Sequence, residues 1–289
     1  MSSLLRIDHP RFVALSGAAL VALLIAASVV RGHQPQENDD DRAEARAMLN
    51  RGIEAYKNAK FDDAVADFER AKELDPSLEI ARLYLATAYA SEYLPGVPSK
   101  ENLRNGELAV EEFKTVLEND PSNLAAIDGI GSLLFNLADT PFDSEKMAES
   151  KAYHEKHIQI QPADPEPYYW VGVIDWSIAY RANADIRKEF NRTAKETIRP
   201  ADPLPPGLGA NFAREYGATV DEGILHIKKA IELRTDYADA MAYLNLLYRL
   251  KADMEISAAA REDDLRIAEG LVDQVVAIKK AKAATPSSH

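Results

Sequence analysis

Residues 45–78, ARAMLNRGIEAYKNAKFDDAVADFERAKELDPSL, decide the fold of this chain. Leu49, Phe68 and Leu74 lie at spacings that put apolar side chains on one face of a helix. Pro76 has no amide hydrogen and disfavours a helical conformation in the residue before it, so the chain must turn there. The stretch therefore predicts two closely packed helices followed by a turn. The small residues that would let the helices approach are Gly52, Ala64 and Ala71.

The same stretch resembles a tetratricopeptide repeat, a unit of 34 residues. Gly52 takes the small position of the first helix, and Tyr56 follows one turn later. Asp75 and Pro76 close the unit. The aromatic and small positions of the second helix are occupied by Phe61, Ala64, Phe68 and Ala71. The resemblance implies a helix-turn-helix repeat that stacks on further copies of itself.

Four further units follow the first, and they resemble the repeat less closely. Thr235, for example, stands where the fourth unit should have its closing proline. The predicted fold class is all-α: a solenoid of about five repeats over residues 43–289, preceded by one N-terminal transmembrane or signal helix. The predicted units are 45–78, 79–123, 124–164, 165–237 and 238–282.

Units two to five hold about 11, 7, 39 and 11 residues more than the template, placed between their two helices. The first insertion, 92–100, has two prolines around a glycine and predicts a rigid turn. The second, 139–148, is expected to lengthen the following helix, with Asp143 or Ser144 as its cap. The largest, 177–221, begins with a helical composition and continues as a proline-rich stretch that should be extended.

The large insertion carries local positive charge within a chain of net charge −13. One interpretation is a basic arm that meets an acidic partner or an anionic membrane surface. The other is a solvated helix that pairs with the acidic body of its own chain. The residues of this predicted basic arm are Arg181, Arg187, Lys188, Arg192, Lys195 and Arg199.

The N-terminal region contains 19 residues without a charge, 12–30. A helix of that length spans about 30 Å, the thickness of the hydrocarbon core of a bilayer. Arg6 and Arg11 precede the run, so the positive-inside rule places the rest of the chain outside the cytoplasm. A single-pass membrane anchor over 1–31 is the first interpretation, and a signal peptide cleaved near Ala26–Ser28 is the alternative. Residues 32–42 are polar without a helical pattern and are expected to be a linker. An anchor or signal sequence before the repeats resembles that of bacterial envelope proteins of this family.

The family resemblance implies a partner-binding groove on the first helices of the repeats. Tyr169 and Trp176 are expected either to anchor a partner there or to belong to the core between helices. The lining is mixed polar and aromatic, which suits an extended or helical peptide. The predicted groove residues are Tyr56, Lys57, Thr87, Asp128, Ser132, Phe135, Asn136, Tyr169, Trp176 and Arg249.

The motifs that catalysis would require are missing from the sequence. There is no cysteine, no glycine-rich phosphate loop and no GxSxG motif. His154 and His157 could share a helix face, but no third metal ligand can be named, so we expect no metal and no cofactor. The negative charge disfavours nucleic acid as a partner.

We therefore expect a non-catalytic scaffold that binds a protein or peptide segment on the extracytoplasmic (periplasmic) side of a membrane. The alternatives are a solenoid that self-associates through residues 251–289 as a homo-oligomer, and a small-molecule or enzymatic pocket closed by residues 177–221.

Overall fold

The structure is a computed structural model that describes residues 37–139 and 141–284. Within these ranges the chain forms ten α-helices and no strand, so the predicted all-α class is confirmed for them. The helices are α1 (Glu37–Lys57), α2 (Phe61–Leu74), α3 (Glu79–Glu92), α4 (Lys100–Asn119), α5 (Leu124–Leu137), α6 (Ser144–Ile160), α7 (Pro165–Thr193), α8 (Pro206–Leu233), α9 (Ala238–Ala252) and α10 (Ala258–Ala284).

The predicted membrane anchor or signal segment, 12–30, lies outside the described residues. None of the helices in the described ranges combines the length and the apolar character that a membrane span requires.

The chain divides into two compact units, with the division after Lys146, near the start of α6. In the first unit, α1 pairs with α2 and α3 with α4, and successive pairs stack because α2 packs on α3 and α4 on α5. The odd-numbered helices also touch each other, α1 with α3 and α3 with α5. They form a layer that we call the inner layer of this unit.

The second unit has the same arrangement in α7–α10. Here α7 pairs with α8 and α9 with α10, while α7 also contacts α9, so α7 and α9 form the inner layer. Helices α7 and α8 have 29 and 28 residues, whereas α2 and α3 have 14 each. The large insertion therefore lengthens both helices of one hairpin, and only residues 194–205 connect them.

Glycines on the first helix of a hairpin allow the second helix to approach closely. A Cβ atom at Gly52 would lie 2.6 Å from the ring of Phe68, and one at Gly172 would lie 2.3 Å from Ile227. Phe68 and Ile227 are fully buried. The small residues of the sequence pattern thus make room for large, fully buried apolar side chains of the partner helix.

The Asp-Pro-Ser sequence that ends α2 recurs at the end of α4, and both copies fold alike. Asp75 accepts hydrogen bonds from the amide and the hydroxyl of Ser77. Asp120 does the same with Ser122, and these bonds hold the pKa of Asp120 below its ordinary value. Such Asp side chains satisfy the backbone of a turn locally, while the proline prevents the helix from continuing.

Two smaller predictions can be checked directly. Asp143 does cap α6, because its Oδ1 accepts hydrogen bonds at 3.0 Å from the amides of both Glu145 and Lys146. The predicted linker, 32–42, is helical from Glu37 onwards. The acidic residues at 37–41 are favourable in the first turns of a helix, where the partial charge of the backbone is positive.

Candidate functional site

The predicted groove residues of the first unit all lie on the inner layer. Lys57 is exposed, and its amine pairs with Glu54 at 2.8 Å. The Tyr56 hydroxyl lies 2.9 Å from the Ser91 hydroxyl, which links α1 to α3. The half-buried members are Tyr56 on α1, Thr87 on α3, and Asp128, Ser132, Phe135 and Asn136 on α5. This face is therefore polar and partly accessible along three adjacent helices.

Tyr169 is a core residue, although the sequence left open that it might be an exposed anchor. Its side chain is only 7% exposed. Its ring packs against the rings of Tyr237 at 5.1 Å and Tyr243 at 5.7 Å. Burial raises the pKa of Tyr169 above its ordinary value. Tyr169 thus joins α7 to the start of α9, and a partner could reach it only if these rings moved.

Trp176 lies two turns further along α7 and is half-buried. Its ring meets the ring of Tyr243 on α9 edge-to-face at 5.2 Å. On its other side Tyr180 stacks almost parallel, with centroids 5.0 Å apart and an interplanar angle of 19°. We call Trp176, Tyr180 and Tyr243 the aromatic ledge.

Tyr180 is the accessible member of the aromatic ledge, with half of its surface exposed. Tyr180 was not among the predicted groove residues, because it lies within the predicted insertion, 177–221. Its position four residues after Trp176 was the available signal, since residues so spaced share a helix face. Arg249, the remaining predicted groove residue, is half-buried on α9 and donates a hydrogen bond to Asn245 Oδ1 at 2.8 Å.

The predicted basic arm is largely engaged by its own chain. Arg187 is buried at 8% exposure and forms an ion pair with Asp253 at 2.7 Å. It is a structural residue, so its place in the predicted arm was wrong. Arg192 pairs with Glu189, and Arg199 pairs with Asp202. Lys188 and Lys195 are exposed, whereas Arg181 is half-buried.

His154 belongs to the core of the second unit. Its ring stacks on Trp170 with centroids 5.7 Å apart, and it is 1% exposed. Burial lowers the pKa of His154 to about 3, with a smaller contribution from the neighbouring His157. His157 is also buried and lies 3.6 Å from a carboxylate oxygen of Asp164. Both histidines therefore stand inside the packing between α6 and its neighbours.

Comparison with known proteins agrees with this architecture. The family model described as Tetratricopeptide repeat matches residues 41–78. The chain carries a tetratricopeptide repeat. The predicted family is thus confirmed on the stretch that showed it best, which forms α1 and α2.

Solved structures show that the tetratricopeptide fold extends well beyond the first hairpin. The crystal structure of MamA protein has a TM-score of 0.55 at 14% identity and covers 85% of this chain and 97% of its own. The crystal structure of YrrB, described as a TPR protein with an unusual peptide-binding site, has a TM-score of 0.50 at 16% identity, with coverages of 84% and 95%. At these identities the similarity concerns the fold alone.

One curated relative is the type IV pilus assembly protein PilF of Pseudomonas aeruginosa PAO1. It is 27% identical over 157 residues, which are 53% of this chain and 53% of PilF. The chain thus spans about half the length of this relative.

Proposed function

We propose that this protein is a non-catalytic scaffold that binds a segment of a partner protein on the inner layer of its second unit, α7 and α9, with the aromatic ledge as the main contact. The observation that carries the proposal is the exposed ring of Tyr180 stacked on Trp176. Fully burying an aromatic side chain contributes about 1.5–3 kcal/mol, and such residues dominate the binding energy of protein interfaces.

The aromatic ledge is ready to bind because its rings already support one another. Tyr243 is 6% exposed and holds the edge of Trp176. Only Tyr180, at the end of the stack, would have to be covered by the partner. A rigid aromatic platform loses little side-chain freedom on binding. It fits an apolar side chain or a proline ring of an extended segment.

The similarities support the same class of function. YrrB is described as having a peptide-binding site, and it shares the fold of this chain. PilF is named for the assembly of type IV pili, which supports a partner that belongs to an assembly of several proteins. Tetratricopeptide repeats mediate protein–protein contacts through stacked helices that expose an extended surface.

We further propose that the partner lies on the extracytoplasmic side of a membrane, to which residues 12–30 attach the protein. The charge-free run and the two arginines before it support this orientation. Protease added to intact cells or spheroplasts should digest the repeats while a cytoplasmic marker survives. If the repeats are cut only after lysis of the inner membrane, the proposed side is wrong.

Site-specific photo-crosslinking tests the binding surface. A photo-reactive amino acid replaces Tyr180 in one variant and Leu225 in the other. Leu225 lies on α8, outside the inner layer, and is 66% exposed, so it is a matched apolar control. We expect the Tyr180 variant to capture a discrete partner and the Leu225 variant to capture none. Equal capture from both positions would contradict the proposal.

The double variant Trp176→Ala, Tyr180→Ala then measures the energy of the contact. With the captured segment as a synthetic peptide, we expect affinity to fall at least about tenfold, because the exposed Tyr180 ring and the half-buried Trp176 ring that supports it contribute more than about 1.4 kcal/mol together. The variant Leu225→Ala should bind like the wild type. Unchanged affinity in a double variant with a wild-type circular dichroism spectrum would exclude the aromatic ledge as the site.

Self-association is a second candidate function, and a specific observation favours it. Helix α10 carries three apolar side chains that are about two-fifths exposed: Ile267 at 43%, Val272 at 38% and Val276 at 43%. Light scattering over a hundredfold concentration range would show a rising mass if α10 joins two chains. Replacement of Val272 and Val276 by lysine should then restore the monomer.

A further inference from the structure

Four polar side chains from three helices converge in the second unit. Lys151 on α6 places its amine 2.7 Å from Asp175 on α7 and 2.9 Å from Glu222 on α8. His226 follows Glu222 by one turn on α8. One ligand atom each from Asp175, Glu222 and His226 lie within 4.8 Å of one another. The proposed function uses none of these residues.

Asp175 is the innermost member of this cluster. Its residue exposure is 0%, and its Oδ2 atom has no hydrogen-bond partner. A buried carboxylate oxygen without a donor is destabilising by about 1–3 kcal/mol. Such an oxygen is also a free ligand for a cation.

The backbone is shaped to bring Asp175 to α8. Gly223 stands next to Glu222, and a Cβ atom at Gly223 would lie only 3.0 Å from the Cβ of Asp175. Glycine is unfavourable within a helix by about 1 kcal/mol relative to alanine. Its presence here permits the close approach that joins the Asp175 carboxylate to the polar face of α8.

His226 is oriented as a ligand through its outer ring nitrogen. Its Nδ1 lies 3.0 Å from the carbonyl oxygen of Glu222. A neutral imidazole that donates Nδ1–H to this carbonyl keeps its lone pair on Nε2. Metal-binding histidines usually donate their second nitrogen to a carbonyl or carboxylate in this way. Tyr168 contacts the ring at a centroid distance of 6.1 Å and limits its rotation.

We propose that Asp175, Glu222 and His226 form a binding site for a divalent transition-metal ion, with Zn²⁺ as its first candidate. Two carboxylate oxygens and one imidazole nitrogen are ligands that Zn²⁺ accepts, and a water molecule would complete four-coordination. The imidazole disfavours Mg²⁺ and Ca²⁺, which prefer oxygen ligands. Bonds of about 2.0 Å require ligand atoms about 3.3 Å apart, so the side chains must draw together when the ion binds.

Lys151 holds the position of the cation in the metal-free form. Its amine lies within hydrogen-bond distance of both carboxylates, so the ion must displace it. Its side chain is 18% exposed and that of Glu222 is 42% exposed, so the amine has a path to solvent. Binding of the ion is thus an exchange of one cation for another.

Calorimetric titration of the purified full-length protein with zinc chloride tests the site. We expect one equivalent to bind to the wild type, and Lys151→Met to bind at least about tenfold more tightly because the competing amine is gone. His226→Gln should bind at least about tenfold more weakly. Glu232→Gln removes an exposed carboxylate from the same helix and should leave binding unchanged. Magnesium and calcium chloride should give no heat of binding.

A measurement on the wild type alone protects the test against variants that fold poorly. In nitrogen-15 spectra of the imidazole rings, one equivalent of zinc should shift the Nε2 resonance of His226 and leave that of the buried His154 in place. The proposal is overturned if the wild type binds no zinc, if zinc binds only to Lys151→Met, or if binding is the same in His226→Gln. In each of these cases the cluster is a structural ion pair.

Discussion

The two longest connections between the described helices are built differently from the three-residue turn, 58–60, that joins α1 to α2. Residues 93–99 join α3 to α4, and residues 194–205 join α7 to α8. In the shorter one, the Asn102 side chain accepts a hydrogen bond from the amide of Leu94 and donates to the carbonyls of Leu94 and Val97. In the longer one, Asn191 makes the same paired contact with the amide and carbonyl of Ile198.

The difference is that the longer connection is held by a second side chain, the charged guanidinium of Arg187. Arg187 donates to the carbonyls of Arg199 and Asp202, and to the carboxylate of Asp253 after α9. Its Nε donates to Asn183, which itself donates to Asp253. In the seven-residue connection, the neutral side-chain amide of Asn102 bonds three backbone groups beside the turn at Gly96. Twelve residues present more backbone groups, and the guanidinium with its fork of donors serves several of them at once.

Replacing Arg187 by alanine should have the largest effect on stability, because it would remove every hydrogen bond of the guanidinium to the longer connection and to Asp253. Asp253 would lose its buried partner, and two carbonyl groups would lose their donors. We expect the free energy of unfolding to fall by about 3–5 kcal/mol, measured by urea denaturation. Arg192→Ala is the control, since Arg192 is 70% exposed and pairs with Glu189 on the same helix; it should leave the free energy of unfolding nearly unchanged, because exposed ion pairs contribute little. Equal effects of the two variants would refute the structural role of Arg187.

The asparagine side chain should contribute more to stability in the shorter connection, where Asn102 acts without a charged side chain beside it, than Asn191 does in the longer one. Asn102 is 7% exposed, so Asn102→Ala would leave buried backbone groups unsatisfied and lower the free energy of unfolding by about 2–3 kcal/mol. Asn191 is half-buried, and Asn191→Ala should cost about 1 kcal/mol. Both variants can be followed by chemical denaturation. An Asn191 variant that is less stable than the Asn102 variant would reverse this ranking.

Glycine should be required in the shorter connection and dispensable at the end of the longer one. Gly96 has a φ of 77°, which is unfavourable for other residues, so Gly96→Ala should cost about 1–2 kcal/mol. Gly207 lies in the first turn of α8, with open space around its Cα. Gly207→Ala should therefore leave the melting temperature unchanged or raise it slightly. A lower melting temperature for Gly207→Ala than for Gly96→Ala would contradict the comparison.

Acid should loosen only the longer connection, with the smallest effect of the four. The Arg199 side chain, together with its amide, lowers the pKa of Asp202 from 3.8 to about 2. A lowered pKa means that this contribution to stability is present above pH 3.8 and is lost as the pH falls through 2. The Arg199 amide donates to Asp202 Oδ2 at 2.8 Å, so its hydrogen-exchange protection should decrease in that range.

The Leu94 amide provides the internal control for the acid experiment. It donates to the side-chain amide of Asn102, which does not titrate, so its protection should not follow the same curve. Asp202→Asn should abolish the change at Arg199. A parallel loss of protection at Leu94 and Arg199 would indicate general acid unfolding of the chain.

The sequence predicted the elements that depend on local chemistry. Small residues at Gly52 and Ala64, with a proline after Asp75, were enough to predict the first hairpin, because their spacing is a property of the helix itself. The Asp143 cap was predicted for the same reason. The helical start of α1 at Glu37 was missed, because polar composition alone does not distinguish a linker from the acidic first turns of a helix.

The candidate sites were predicted less well, because they depend on which helices meet. Arg187 looked like any other basic residue of the insertion, and only the position of Asp253, 66 residues later, makes it structural. Tyr169 was left open between the groove and the core, since its burial is set by Tyr237 and Tyr243 on another helix pair. Asp175 and His226 are on different helices, and no local pattern relates them.

The hydrogen bonds that hold the connection between α7 and α8 affect how tightly a partner could bind to this end of the hairpin. Ordering one residue of a free loop loses about 1–2 kcal/mol of conformational entropy. Contacts from Asn191 and Arg187 have already placed residues 198–202 during folding. A ligand that touches these residues would meet a preorganised ridge, and most of its contact energy would remain available as affinity.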